Sequence, residues 1–181
     1  MIDTLRPMER GSLWSLPNAL SFSRLFLAAA FAAVPEREAR LVLILAASVT
    51  DFLDGWFARR SKTISKWGEL LDPIADRAFV FTALSVLLFE RTITTLQYFV
   101  VLSRDIATAI AFVIARSVAW LRPVPFRART AGKVVTALQL ITLIIALSQP
   151  ELVARLIPVV AAASGVAIAD YAATMWRQRP R

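Results

Sequence analysis

The sequence contains no histidine and no cysteine, and these two absences exclude several kinds of chemistry. Without imidazole or thiol groups there is no histidine base, no cysteine nucleophile, no disulfide and no ordinary zinc site. Acid–base chemistry therefore falls to carboxylates, lysine or tyrosine. A protein-bound metal is expected to be a hard cation with oxygen ligands, such as Mg²⁺, Mn²⁺ or Ca²⁺.

Charged residues are also scarce, at 19% of the 181 residues against 57% hydrophobic residues. The mean hydropathy is +0.61, which is too apolar for a typical soluble domain of this length and indicates a membrane protein. The 21 Lys and Arg exceed the 13 Asp and Glu, giving a net charge of +8. In an apolar chain this excess favours contact with anionic lipid headgroups, and no basic patch interleaved with aromatic residues points to nucleic acid.

Six apolar runs predict an all-α integral membrane protein, because each is long enough to cross a hydrocarbon core of ~30 Å. The polar residues 1–18 are predicted to form a short amphipathic segment at the interface, and residues 19–181 a six-helix membrane domain. A soluble helical bundle is disfavoured because several runs are apolar all round. A cleaved signal peptide is disfavoured by the long polar lead-in and the later runs. The runs cover residues 19–34, 40–59, 70–88, 96–120, 131–147 and 152–176.

Lysine and arginine are concentrated in alternate loops, which predicts the orientation. Four segments are rich in lysine and arginine. They contain Arg6 and Arg10; Arg59, Arg60, Lys62 and Lys66; Arg122, Arg127, Arg129 and Lys133; and Arg177, Arg179 and Arg181. By the positive-inside rule both termini and the loop after the second run are predicted to be cytoplasmic, as in a protein of the cell inner membrane. A site formed beside that loop would face the cytoplasm. All five tryptophans fall at the predicted cytoplasmic ends, as an interfacial aromatic belt would have them.

Residues 51–76, DFLDGWFARRSKTISKWGELLDPIAD, hold four of the seven aspartates. Asp51 and Asp54 are three residues apart, and Asp72 and Asp76 are four apart, so each pair faces one side of a helix. In a hairpin of two helices all four carboxylates are predicted to converge below the cytoplasmic surface. Unpaired, they would cost at least a few kcal/mol each, so one or two divalent cations are the natural partners.

Small residues and an arginine accompany these acids. Gly55 and Ala58 would leave a notch where a ligand approaches the backbone, and Gly68 continues the same face of the third helix. Arg59 ends the second run where it would meet a phosphate that enters from the cytoplasm. Together these features indicate a diphosphate site. The alternative is that the small residues serve helix packing and that Arg59 is a snorkelling anchor.

The spacing D-x2-D-G-x2-A-R-x8-G-x3-D-x3-D is complete in this stretch. It resembles the signature of the CDP-alcohol phosphotransferase family. The resemblance implies a six-helix membrane enzyme, commonly a homodimer, that displaces CMP from a CDP-linked donor with an alcohol and uses two Mg²⁺ or Mn²⁺ ions. By this resemblance the metal ligands are Asp51, Asp54, Asp72 and Asp76, and the residues that bind CDP are Asp51, Gly55, Ala58, Arg59 and Gly68. Asp76 is the expected base, which agrees with the absence of histidine.

Two shorter segments extend the resemblance. PNALSFSR, residues 17–24, resembles the opening of the first helix in the branch that transfers phosphatidyl groups, with Ser21 in place of threonine. AGKVVTALQ, residues 131–139, resembles a segment of phosphatidylglycerophosphate synthases. The implied donor is CDP-diacylglycerol, and the implied acceptor is glycerol 3-phosphate.

The acceptor is predicted from a different set of residues. Candidate ligands for a phosphorylated alcohol lie in or near the fourth and fifth runs and are Arg104, Arg116, Arg127, Arg129 and Lys133. In the competing interpretations, the basic residues contact anionic lipid or extend to the membrane interface, and the Arg104–Asp105 pair has a purely structural role. The SRDI segment, residues 103–106, resembles instead the CDP-alcohol type of cardiolipin synthase, whose acceptor is phosphatidylglycerol. Inositol phosphate is a further alternative.

Two other classes of protein could carry similar carboxylates. A membrane prenyltransferase also binds a metal diphosphate, but it needs two distant aspartate motifs, whereas here all four acids share one hairpin. A non-enzymatic divalent-cation carrier would explain the carboxylates within the membrane. It would not explain Arg59 or the glycine spacing, so an enzyme is the preferred prediction.

Overall fold

The computed structural model describes the backbone of residues 16–60, 68–117 and 130–177, with side chains except at 16–22, 52, 54–60, 68–76, 112, 114–117, 175 and 177. These residues form six α-helices and no strand, so the all-α prediction is confirmed. The helix bounds lie within three residues of the predicted runs. They are α1 (Leu16–Ala33), α2 (Arg37–Arg60), α3 (Gly68–Phe89), α4 (Thr95–Ser117), α5 (Thr130–Ser148) and α6 (Val153–Arg177).

Two helical segments are long and apolar enough to cross a membrane. Thr130–Ser148 has a mean hydropathy of 1.8, and Pro150–Thr174, which includes a 3-10 turn before α6, has 2.0. Large apolar side chains also face outward, among them Phe26, Val113 and Val166, each more than 60% exposed. A soluble protein rarely leaves so many uncovered, so both features are consistent with a membrane protein. That all six helices cross the bilayer stays a prediction.

Helix α1 packs against both α2 and α3, the two helices that carry the aspartate stretch. Phe31 of α1 meets Phe79 of α3 edge-on, with ring centroids 5.9 Å apart. Helix α6 packs against α4 and α5, and α5 also contacts α2 and α3. Fully buried Leu84 and Leu143 belong to the apolar core between these layers.

A buried arginine ties the start of α2 to the turn between α3 and α4. Arg40 is 4% exposed and donates to both carboxylate oxygens of Glu90 at 2.7 Å. Its Nε donates to the carbonyl of Val34 at 2.7 Å, and its guanidinium lies 5.2 Å from the centre of the Phe31 ring. At this end of the bundle, Arg40 and Glu90 therefore form a bidentate ion pair.

Candidate functional site

The aspartate stretch lies on helical backbone where the spacing predicts it. Asp51 and Asp54 belong to the second half of α2, and Asp72 and Asp76 belong to the first half of α3. The helical spacing of both pairs is therefore confirmed. The side chain of Asp51 is exposed. The side chains of the other three acids lie outside the described residues, so their convergence stays a prediction.

The remaining predicted donor-site residues follow the same pattern. Gly55, Ala58 and Arg59 are in α2, and Gly68 is the first residue of α3, while what surrounds them lies outside the described part of the chain. The notch and the phosphate contact of Arg59 stay predictions.

Three of the predicted acceptor residues also lie outside the described side chains. Arg116 belongs to the backbone of α4, but its side chain is not among those described. Arg127 and Arg129 lie outside the described residues altogether. Arg104 and Lys133 are described, and they lie in or beside a polar cluster.

This cluster joins three helices in the middle of the bundle and is referred to as the Asp105 cluster, comprising Arg77, Arg104, Asp105 and Gln139. Arg77, Arg104 and Gln139 are each the tenth residue of their helix, α3, α4 and α5 respectively. Asp105 accepts hydrogen bonds from all three. Its Oδ1 is 3.2 Å from Nε of Arg77 and 2.8 Å from an Nη of Arg104, and its Oδ2 is 2.6 Å from Nε2 of Gln139.

The charges of the Asp105 cluster do not balance within it. Two guanidinium groups share one carboxylate, so these four side chains carry a net charge of +1. The side chains of Asp105 and Arg104 are only 11% and 14% exposed, whereas that of Arg77 is 42% exposed. Buried charges need compensation. An excess positive charge in a partly buried cluster favours an anion nearby.

Helix α5 contributes a hydrogen-bond donor to the Asp105 cluster and a glycine that leaves space for the Arg104 guanidinium. Gln139 is 2% exposed and donates through Nε2 to the backbone carbonyl of Val101 at 2.9 Å as well as to Asp105. The guanidinium of Arg104 lies so close to Gly132 that a Cβ there would collide with it. Lys133 is exposed beside Gly132. Gly132 and Gln139 of the AGKVVTALQ segment therefore both face α4.

Sequence reasoning identified the Arg104–Asp105 pair but missed its partners. No functional role was predicted for Arg77, and Gln139 stood out only as the last residue of the AGKVVTALQ segment. The available signal was that each of three apolar runs carries a charged or amide side chain near its middle. The guanidinium of Arg104 reaches Gly132, the third residue of α5, and hence extends toward the predicted cytoplasmic end.

Comparison with known proteins decides the family. The profile of the CDP-alcohol phosphatidyltransferase family matches residues 14–176, which include all six helices almost completely. The chain belongs to the CDP-alcohol phosphatidyltransferase family. The family membership predicted from the resemblance of residues 51–76 is therefore confirmed.

Relatives within this family carry two kinds of name. A CDP-diacylglycerol--glycerol-3-phosphate 3-phosphatidyltransferase of Aquifex aeolicus is 38% identical over 109 residues, covering 56% of this chain and 61% of the relative. One of the same name from Cereibacter sphaeroides is 43% identical over 81 residues, 41% of this chain and 37% of the relative. A cardiolipin synthase (CMP-forming) of Streptomyces coelicolor is 35% identical over 100 residues, 50% and 46% respectively. The matches thus span between about a third and two thirds of these relatives' lengths.

Proposed function

We propose that this protein is a phospholipid-synthesising enzyme that transfers a phosphatidyl group from CDP-diacylglycerol to an alcohol and releases CMP. The acceptor we favour is glycerol 3-phosphate. The observation that carries the proposal is the complete eight-residue signature on α2 and α3 of a chain that belongs to the CDP-alcohol phosphatidyltransferase family. The relatives of Aquifex aeolicus and Cereibacter sphaeroides, named for this reaction, support it.

The residues present fit divalent metal ions. Asp51, Asp54, Asp72 and Asp76 supply only carboxylate oxygens, the donor type that Mg²⁺ and Mn²⁺ prefer, and no histidine or cysteine competes. These four residues would hold two ions. Bound there, the ions would polarise the diphosphate and offset the negative charge that develops on it.

The chain's own residues would bind the donor and move one proton. Gly55, Ala58 and Gly68 give the CDP moiety access to the backbone, and Arg59 binds a diphosphate oxygen. A carboxylate oxygen of Asp76 accepts the proton of the acceptor hydroxyl. That hydroxyl oxygen bonds to the lipid-side phosphorus, the bond between this phosphorus and the bridging oxygen breaks, and CMP leaves with the bonding electrons.

The Asp105 cluster supports a phosphorylated acceptor. Its net positive charge comes from the guanidinium groups of Arg77 on α3 and Arg104 on α4, which share one carboxylate, and Arg104 extends toward Gly132 and the exposed Lys133. Arg104 and Lys133 are proposed to bind the phosphate of glycerol 3-phosphate. Arg116, Arg127 and Arg129 are proposed as further ligands, on the strength of their sequence positions.

Two observations favour a second acceptor. The Arg104–Asp105 pair and the Streptomyces coelicolor relative named as a cardiolipin synthase both point to phosphatidylglycerol. The chemistry would be the same, with a lipid hydroxyl in place of that of glycerol 3-phosphate. Inositol phosphate is a third acceptor that the cationic residues would suit.

The membrane setting follows from the donor. The acyl chains of CDP-diacylglycerol stay in the bilayer, so a site at the cytoplasmic ends of α2 and α3 would receive the nucleotide from the aqueous side. We propose six membrane-spanning helices, cytoplasmic termini, contact with anionic lipids, and a homodimer.

The test is CMP release by purified protein supplied with CDP-diacylglycerol and Mg²⁺ or Mn²⁺. Glycerol 3-phosphate, phosphatidylglycerol, inositol phosphate and serine are compared, with an acceptor-free reaction to measure hydrolysis. The proposal expects the fastest release, and a phosphatidylglycerophosphate product, with glycerol 3-phosphate. Faster release with phosphatidylglycerol would assign the second function, and no release with any acceptor would overturn the enzymatic proposal.

A further inference from the structure

Arg77 occupies an unusual position for a cation. It directly follows Asp76 in α3 and lies five residues after Asp72, so it is a sequence neighbour of two proposed metal ligands. Arginine has a long, flexible side chain with five donors, and it is the cation best suited to a carboxylate. A guanidinium that paired with these acids would compete with a divalent cation for the same oxygens.

The structure gives this guanidinium a partner on another helix. Nε of Arg77 donates to Asp105 on α4, 3.2 Å away. The acceptor is itself fixed: Gln139 holds the other carboxylate oxygen at 2.6 Å and is anchored to the Val101 carbonyl at 2.9 Å. Arg104 completes the arrangement with a 2.8 Å bond to Oδ1. Helices α4 and α5 therefore hold the carboxylate that engages Arg77.

We propose that Asp105 is a positioning residue for the metal site: by engaging Arg77 from the side, it keeps that guanidinium from neutralising Asp72 and Asp76. The inference rests on the proposed function, because it assumes that these acids bind the metal. Loss of the Asp105 charge would leave Arg77 and Arg104 without their shared carboxylate, and the attraction of Arg77 to the acids of α3 would rise accordingly.

The test is Mn²⁺ binding to full-length protein in detergent, followed by the electron paramagnetic resonance signal of free Mn²⁺. The variants are Asp105→Asn, Arg77→Met and the double variant, with unfolding temperatures measured alongside. We expect Asp105→Asn to raise the Mn²⁺ dissociation constant about tenfold or more. Arg77→Met is expected not to weaken binding, and the double variant to lie within about threefold of the wild type because the competing cation is gone.

Two results would overturn the inference: Asp105→Asn binding Mn²⁺ as tightly as the wild type, or the double variant binding as weakly as Asp105→Asn. A purely structural Asp105 would give the second result. Failure of the proposed metal site itself would look different, because the wild type would then bind no Mn²⁺.

A second variant tests the same inference without changing Asp105. If Asp105→Asn does not fold, Gln139→Met keeps both charges of the ion pair and removes one tie to the carboxylate. A several-fold loss of Mn²⁺ affinity that Arg77→Met abolishes would support the inference. An unchanged affinity, or a loss that persists without Arg77, would contradict it.

Discussion

Gly132 lies against the guanidinium of Arg104, and this contact gives a prediction at the scale of one residue. Gly132→Ala forces the guanidinium to move but does not disfavour the helix, since alanine has a higher helix propensity than glycine. We therefore expect no loss of thermal stability. The KM for glycerol 3-phosphate should rise about tenfold, because the displaced Arg104 guanidinium would orient the substrate poorly.

Gly165→Ala is the matched control for this prediction. Gly165 is also in a helix, and a Cβ there meets nothing within 4 Å. The control is expected to keep the wild-type KM. Equal KM values for the two alanine variants would contradict the role proposed for Arg104.

Single residues were predictable from the sequence to different degrees. The aspartates of α2 and α3 could be identified because their spacing is both helical and complete as a signature. Arg104 and Asp105 stood out as charges in an apolar run. Their partners did not, because Arg77 and Gln139 are 28 and 34 residues from Asp105, and only the packing of three helices brings them to it.

At the scale of the elements, the turn after α3 gives a second prediction. Arg91 has a φ of 59°, a left-handed conformation that favours glycine. Hydrogen bonds from Arg91 N–H to Leu88 and from Thr92 N–H to Leu87 close the end of the helix. Arg91→Gly is expected to raise the free energy of unfolding by about 1 kcal/mol because it relieves this conformation.

Arg155→Gly provides the comparison in a helix. Arg155 is exposed on the first turn of α6, where glycine is expected to lower stability by up to about 1 kcal/mol. Denaturant unfolding of both variants tests the pair. A destabilising Arg91→Gly would show that the side chain of Arg91 matters more than its backbone.

The same turn predicts a pH dependence of stability. The hydrogen bonds from Arg40 lower the pKa of Glu90 below its ordinary value of 4.5, against the opposing effect of burial. The unfolded chain therefore takes up this proton at higher pH than the folded chain does. The stabilising contribution is complete above pH 4.5 and is lost as the pH falls through the lowered pKa.

Glu90→Gln should remove this part of the pH dependence. Between about pH 5 and pH 3, the unfolding temperature of the wild type is expected to fall more steeply than that of the variant. The difference should be small, since the Glu90 side chain is 44% exposed. Parallel curves would show that the ion pair contributes nothing at this end of the bundle.

The helices themselves were the most predictable elements. Long apolar runs broken by proline and charged residues determine where a membrane helix begins and ends, and Pro35 separates α1 from α2 as expected. Local caps were not foreseen. Thr94 and Gln97 form a reciprocal capping box at the start of α4, with bonds of 2.8 and 3.3 Å, although the T-x-x-Q pattern was present in the sequence.

At the scale of the whole molecule, the absence of cysteine allows a direct test of orientation. Glu151→Cys lies in the turn between α5 and α6, and Lys62→Cys lies in the loop after α2. With an impermeant maleimide on intact cells, Glu151→Cys should be labelled and Lys62→Cys should not, as the positive-inside rule predicts. Membrane disruption should expose Lys62→Cys. The reverse pattern would invert the proposed topology.

Overall architecture followed from sequence because periodicity and hydropathy act locally, whereas the acceptor did not. In the proposed function, the choice of acceptor depends on where Arg104 and Lys133 direct their charges. Those directions depend on helix packing, on the room left by Gly132 and on the hydrogen bonds of Gln139. The donor chemistry is concentrated in one stretch of sequence and was therefore the easier part to predict.

CMP release by Asp76→Asn tests the central claim most directly. The purified variant is given CDP-diacylglycerol, glycerol 3-phosphate and saturating Mg²⁺, because Asp76 is also a proposed metal ligand. Glu151→Gln, an equivalent change in an exposed turn, is the control. The account predicts that Asp76→Asn still binds CDP-diacylglycerol but releases CMP at least about a hundredfold more slowly, while the control matches the wild type. Wild-type turnover by Asp76→Asn would contradict it.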